Sequence, residues 1–255
     1  MRKAFKKTLQ TFLIVFRRLT GFVFRHEVSV LCYHAVDDED KWELTISPKK
    51  FKEQIEWLKK KKYYFCSTED LVKHIEGSLT LPRKTVNITF DDGYSCVYHN
   101  AFPVLKEHEI PFTVFLLGDF DLSKENRGTK RHGLFSNEIS ELKVSGLATF
   151  GYHSKNHFML DRLGSDDIIH EIKNDFDYKY FAYPGGHHSL ESQKLVREIG
   201  YEAAFAITPG LVNRDDDLYL IKRNVILRSM SLSDLEFRVT KAIDWYRSII
   251  KLFKK

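Results

Sequence analysis

Two histidines four residues apart, His153 and His157, and two adjacent carboxylates, Asp91 and Asp92, have the types and spacing that chemistry needs. On one helical turn, a four-residue spacing turns both imidazoles to the same side, where they can hold a single metal ion. With one carboxylate they make a three-ligand site for a divalent cation, leaving positions open for water and substrate. The second carboxylate can then take a proton from that water, so the set points to metal-assisted hydrolysis. Each piece alone has an ordinary explanation. Asp91-Asp92-Gly93 suits a turn or cap, and His153-Ser154-Lys155-Asn156-His157 suits a polar loop. The combination is what argues for a site.

Strand-like runs alternate with helical ones from residue 27 onward. The strand candidates are 28–33, 86–90, 112–117, 147–152, 178–183, 202–208 and 218–226. A helix is expected from Ser47-Pro48, with Phe51, Ile55 and Leu58 on one face, and a short one from Thr68. Others are expected at 96–108, 137–144, 165–174 and 190–199, the last stopped by Gly200. This is an α/β pattern with a mainly parallel sheet under helices. About seven such units in one domain suggest a barrel or near-barrel, with an open doubly wound sheet as the alternative. No Gly-x-Gly-x-x-Gly follows a strand, so a dinucleotide site has no support.

In a barrel, function gathers where strands end. His34, the Asp91-Asp92 pair, His153 and Tyr183-Pro184-Gly185-Gly186 all stand at such ends, and Arg223 with Asn224 lies in the last strand candidate. They are expected to converge on one pocket. The polar, glycine-containing stretch 119–136 reads as a mobile rim of it.

The 255 residues are 43% hydrophobic and 29% charged, which excludes a disordered tail, a collagen-like fibre and a disulfide-stapled miniprotein. No run approaches the ~20 apolar residues of a membrane-spanning helix. Cys32, Cys66 and Cys96 are scattered, which argues for a reduced environment. The net charge is +5, but seven basic side chains and no acidic one fall within residues 1–26, leaving the body near neutral. Positive charge gathered at an end, not spread over the body, argues against nucleic acid as a partner.

Thr89-Phe90-Asp91-Asp92-Gly93-Tyr94 resembles the first motif of the polysaccharide deacetylases, the NodB-homology carbohydrate esterases. Gly151-Tyr152-His153-Ser154-Lys155-Asn156-His157 is similar to their second motif, and Phe181-Ala182-Tyr183-Pro184-Gly185-Gly186 stands in place of the third. Leu31-Cys32-Tyr33-His34-Ala35-Val36 and Ser47-Pro48-Lys49-Lys50-Phe51 look like the branch that includes poly-N-acetylglucosamine deacetylases. The resemblance covers roughly 28–228. It implies a distorted (β/α) barrel of seven strands and removal of an N-acetyl group from an amino sugar. It implies Asp92, His153 and His157 as ligands of one divalent ion (zinc first, with cobalt, manganese or nickel as alternatives). It implies Asp91 as general base, and a substrate- and oxyanion-binding segment at Tyr183, Pro184 and Gly185.

Two departures stand out. Ala182 occupies the usual place of an arginine, so Arg223 is the candidate to orient Asp91. The late Leu-x-His that usually supplies the acid is missing, and no histidine follows His188. His34 is the substitute candidate, ahead of His187 and His188. The departures motivate a competing reading, a catalytically silent glycan- or lipid-binding protein. A third is a hydrolase of non-sugar amides.

Three regions are expected: a basic amphipathic helix at 1–26, a barrel at 27–230 and an amphipathic helix at 231–255. Phe5, Leu9, Phe12, Leu13, Phe16, Leu19 and Val23 recur at helical steps beside lysines and arginines, as in a helix lying on an anionic membrane surface. The alternative for that helix is packing on its own domain. With reduced cysteines and no cleavage site, the expectation is a cytoplasmic, peripherally membrane-associated protein acting on an N-acetylated polysaccharide or lipid-linked saccharide. The alternative is the cell envelope, held by an uncleaved signal-anchor.

Overall fold

The computed structural model describes residues 2–20, 26–38, 41–121 and 131–252. Most of the stretch expected as a mobile rim, 122–130, lies outside the described residues.

In chain order the strands are β1 (Val28–Tyr33), β2 (Ala35–Val36), β3 (Thr45–Ile46), β4 (Tyr64–Phe65) and β5 (Thr85–Phe90). They continue as β6 (Phe112–Leu116), β7 (Ala148–Tyr152), β8 (Tyr180–Ala182), β9 (Ala203–Phe205) and β10 (Asn224–Val225). The helices begin with α1 (Arg2–Thr20), α2 (Pro48–Lys60), α3 (Thr68–Ile75), α4 (Phe102–Glu107) and α5 (Ser136–Val144). After these come α6 (Ser165–Ile172), α7 (Leu190–Ile199), α8 (Leu232–Arg238) and α9 (Ala242–Leu252).

The main sheet runs β10-β1-β5-β6-β7-β8-β9, all parallel, with β4 added at the start of β5. A parallel bridge joins Phe205 to Ile221, and a few residues later the same chain pairs with β1 as β10. The sheet therefore curls into a distorted α/β barrel, and the open doubly wound alternative is set aside.

Strands buried on both faces explain the continuous apolar runs. On the outer face Leu31, Tyr33, Ile88 and Phe90 pack against Phe51, Ile55 and Leu58 of α2. On the inner face Val28, Val30, Phe115, Ala182 and Phe205 meet. Helix signals act as expected at two places. The Ser47 hydroxyl accepts from the Lys50 N–H with Pro48 in the first turn, and Gly200 closes α7 at φ +104°.

Two helices differ from expectation. The helix expected at 96–108 opens as a π-turn over Val97–Ala101 before α4, because Pro103 has no N–H to continue the ladder. The C-terminal segment is two helices, not one. The Arg238 carbonyl is drawn off to Ser29 Oγ and Asn224 Nδ2, which ends α8 and ties it to the barrel.

Both terminal segments pack on the body. Leu13 and Ile14 of α1 are buried against Leu211, Phe237, Ala242 and Ile243, and Arg17 pairs with Glu236 at 2.8 Å.

Candidate active site

The residues after β5 begin the site. The Asp91 N–H still donates to the Tyr33 carbonyl at 2.9 Å, extending the ladder one step. The chain then turns sharply through Asp92 (φ +73°) and Gly93 (φ +67°). The positive φ at Gly93 favours glycine, and a Cβ there would also press on the tip of the Leu116 side chain at 2.6 Å.

His153 and His157 follow β7. They are brought together by a loop, not by a helical turn as their spacing suggests, because Ser154 (φ +65°) and His157 (φ +61°) are left-handed. The Ser154 hydroxyl accepts the His157 N–H at 3.0 Å and locks the reversal. Left-handed backbone at a non-glycine residue costs of order 1–3 kcal/mol. Asp92, Ser154 and His157 all carry that strain at one place.

The strain serves convergence. Asp92 Oδ1 lies 3.6 Å from His153 Nε2 and 3.6 Å from His157 Nε2. Ligand atoms about 2.1 Å from a tetrahedral zinc would be about 3.4 Å apart, so this spacing fits a cation between them. His153 Nδ1 is 2.7 Å from the Ala182 carbonyl, which can only accept. The proton is therefore on Nδ1, and Nε2 presents its lone pair to the cluster. Two imidazoles and one carboxylate, nearly all buried, are a donor set for a divalent transition metal.

Asp91 has a different partner. Arg223, fully buried, reaches across from beside β10 and donates to both its oxygens, at 2.6 and 2.8 Å. The guanidinium lies against the rings of Phe115 and Phe205. Burial pushes the Asp91 carboxyl up, but Arg223, then His153 and His34, outweigh it and hold it well below the usual carboxylate range. Cys32, His34 and Asp91 also bring ligand atoms together. That group is not the metal site, since both Asp91 oxygens are taken by Arg223. The buried Cys32 thiol, 3.4 Å from Asp91 Oδ2, is also pushed up in pKa and stays protonated.

His34, at the end of β1, is buried with its Nδ1 unsatisfied and the Trp42 ring set edge-on at 5.9 Å. Burial pulls its imidazole below the usual value, against the carboxylates of Asp92 and Asp91. His187 pairs with Asp161 and His188 with Gln193, and neither joins the clustered ligand atoms.

The Tyr183 ring stands apart from the cluster. It is buried in the outer layer with Phe181, Leu195 and Val196, directed away from the inner face. Side chains two apart on a strand share a face, and Phe181 already points outward. Pro184 is buried, Gly185 is exposed at φ +59°, and Gly186 passes so close to the Ile207 backbone that a Cβ would fall 2.7 Å from its nitrogen.

One contributor was not anticipated. Glu171 of α6 is buried and accepts from both the Asn156 N–H (2.9 Å) and Asn156 Nδ2 (2.7 Å), inside the loop that joins the two histidines. A carboxylate on the same helix face as Ile168 and Ile172 was the signal in the sequence. Glu171→Ala should weaken zinc binding about 10- to 100-fold, read by competition with a chelating dye. Unchanged affinity would leave Glu171 a purely structural role.

Comparison with known proteins places the fold among others. A family model described as polysaccharide deacetylase matches residues 78–204. The poly-beta-1,6-N-acetyl-D-glucosamine N-deacetylase of Staphylococcus epidermidis is 27% identical over 203 residues, 71% of this chain and 68% of that one. The structure of IcaB from Ammonifex degensii superposes with a TM-score of 0.71 at 26% identity, covering 84% of this chain and 97% of that one. A Streptococcus pyogenes deacetylase, PplD, shares the fold with a TM-score of 0.73 at 23% identity, covering 84% and 98%. The motifs, the curled parallel sheet and these likenesses agree: the chain carries a polysaccharide deacetylase domain.

Proposed function

We propose that this protein is a divalent-metal-dependent hydrolase that removes N-acetyl groups from an amino-sugar polymer of the poly-N-acetylglucosamine kind. The observation that carries the reading is a three-ligand cluster, Asp92, His153 and His157, set beside a carboxylate clamped in its ionised form by a buried arginine.

A divalent ion held by Asp92, His153 and His157, zinc by its preference for nitrogen and oxygen donors, would polarise the acetamide carbonyl and acidify the water beside it. Asp91 accepts the proton of that water as its oxygen bonds to the carbonyl carbon. Arg223 keeps the carboxylate ionised and fixes its two oxygens. The exposed Gly185 N–H supplies a backbone donor for the developing oxyanion. His34, whose imidazole burial holds below its usual value, takes that proton from Asp91 and passes it to the nitrogen as the carbon–nitrogen bond breaks, giving a free amine and acetic acid, which then ionises to acetate. Atoms and protons balance with water as the only co-substrate.

His34→Gln is expected to lower kcat by roughly a hundredfold or more with metal content unchanged. Wild-type kcat in that variant would remove His34 from proton transfer. The reading as a whole is tested with the full chain, zinc-loaded, on β-1,6-linked N-acetylglucosamine oligomers. Free amine and acetate should appear together, stop with a chelator and return with added zinc. A metal-loaded protein that releases acetate from neither these oligomers nor β-1,4-linked ones would overturn it.

A further inference from the structure

We propose that α1 and α9 together form a docking face for an anionic lipid surface, and that this face lies at the end of the barrel away from the catalytic mouth. One edge of α1 is spent on its own domain, through Leu13, Ile14 and Arg17. The other edge is exposed: Phe12 61%, Val15 44%, Phe16 45% and Leu19 81%. Steps of three and four residues make these one stripe along the helix. Phe12 stacks on Phe16 at 6.1 Å, and Phe16 meets Trp245 of α9 at 5.8 Å, so the ridge runs across both helices. Leu252, 74% exposed, extends it at the end of α9.

Charge selects the occupant. Residues 1–26 carry seven basic side chains and no acidic one, and Lys6, Lys7 and Lys251 are exposed on the two helices. A second copy would bring the same positive charge against this face, whereas anionic headgroups complement it. Among the described residues no helix is long and apolar enough to cross a membrane, so the pair lies on the surface.

The orientation follows from β1. The helical pair covers Leu211, next to Val212, which is bridged to Val28 at the first residue of β1. His34 stands just past the other end of that strand. Six residues of strand span about 20 Å, so the mouth stands that far along the barrel from the docking face. Such a site reaches a glycan chain extending from the surface in preference to a sugar held at the headgroups. This last step rests on the deacetylase reading, and the docking does not.

The test is co-sedimentation of the full chain with phosphatidylglycerol–phosphatidylcholine vesicles and with phosphatidylcholine alone. Binding is expected to the anionic vesicles, weakened by high salt, and about tenfold weaker or more in Phe12→Glu/Leu19→Glu. Both positions are exposed, so the variant should keep its melting temperature and its activity on soluble oligomers. Lys6→Glu/Lys7→Glu should lose the preference for anionic lipid while keeping the apolar ridge. Equal sedimentation by the variants, or no binding by the wild type, would overturn the proposal. A concentration-dependent dimer, dissociated by Phe12→Glu/Leu19→Glu, would give the face to a second copy and overturn it too. None of these readouts depends on catalysis.

Discussion

Asp91→Asn should cut acetate release by roughly a hundredfold to ten-thousandfold and leave the metal in place. Asp92, His153 and His157 keep their donor atoms in this variant, so metal content is its control. The amide has no charge with which to take a proton from water. It also fits Arg223 poorly, since one of its two polar atoms is a donor facing a donor. The variant is therefore less stable as well as inactive and must be assayed well below its unfolding transition. Near-wild-type turnover with metal bound would remove Asp91 from proton transfer.

The second large effect falls on stability. Arg223→Met leaves the Asp91 carboxylate buried without its main partner, beside only the weak Cys32 donor and the His153 imidazole at 3.8 Å. Breaking a buried ion pair from one side typically costs 3–5 kcal/mol, which for a chain of this size lowers Tm by roughly 10 °C. The pH dependence has a definite sign. In the wild type the folded pKa of Asp91 is depressed, so its contribution is full above the unfolded value of about 3.9 and is lost only as pH falls toward the folded one. Without Arg223, burial is opposed only by the weaker pull of His153 and His34, the folded pKa rises, and the penalty is relieved as the carboxyl protonates. The gap in Tm between variant and wild type should thus narrow from pH 7 to pH 5. Asp91→Asn/Arg223→Met should recover much of the lost stability and none of the activity. A constant gap, or an unaffected Tm, would contradict a tightly coupled pair.

How far the site was legible depended on whether local signals reached it. Strand ends could be read from apolar runs closed by polar residues, which is why His34, Asp91, Asp92 and His153 were singled out. The spacing of His153 and His157 puts the two imidazoles on one side of a helical turn, and the structure brings them together by a loop instead. A four-residue step suits a helix, but the loop is set by Ser154 and by Glu171, whose grip on Asn156 is tertiary. The two-residue period from Phe181 sets the Tyr183 ring in the outer layer, a signal present in the sequence. Arg223 could be named only as a candidate, because its reach to Asp91 depends on the ring closing between β9 and β10. The terminal stripe was legible as amphipathic. Which of its apolar residues would be spent on Leu211 and Phe237 and which left outside was not, since that needs the partner helices in place.

The proposed reaction depends on one divalent ion held by Asp92, His153 and His157. The deciding experiment is metal analysis of the purified chain beside His153→Ala/His157→Ala, each after incubation with zinc and desalting. About one zinc per chain in the wild type and none in the variant, with both folded, is the predicted result. No retained zinc in a folded wild type, and none after cobalt, manganese or nickel, would contradict the claim and favour a silent glycan- or lipid-binding protein on the same barrel.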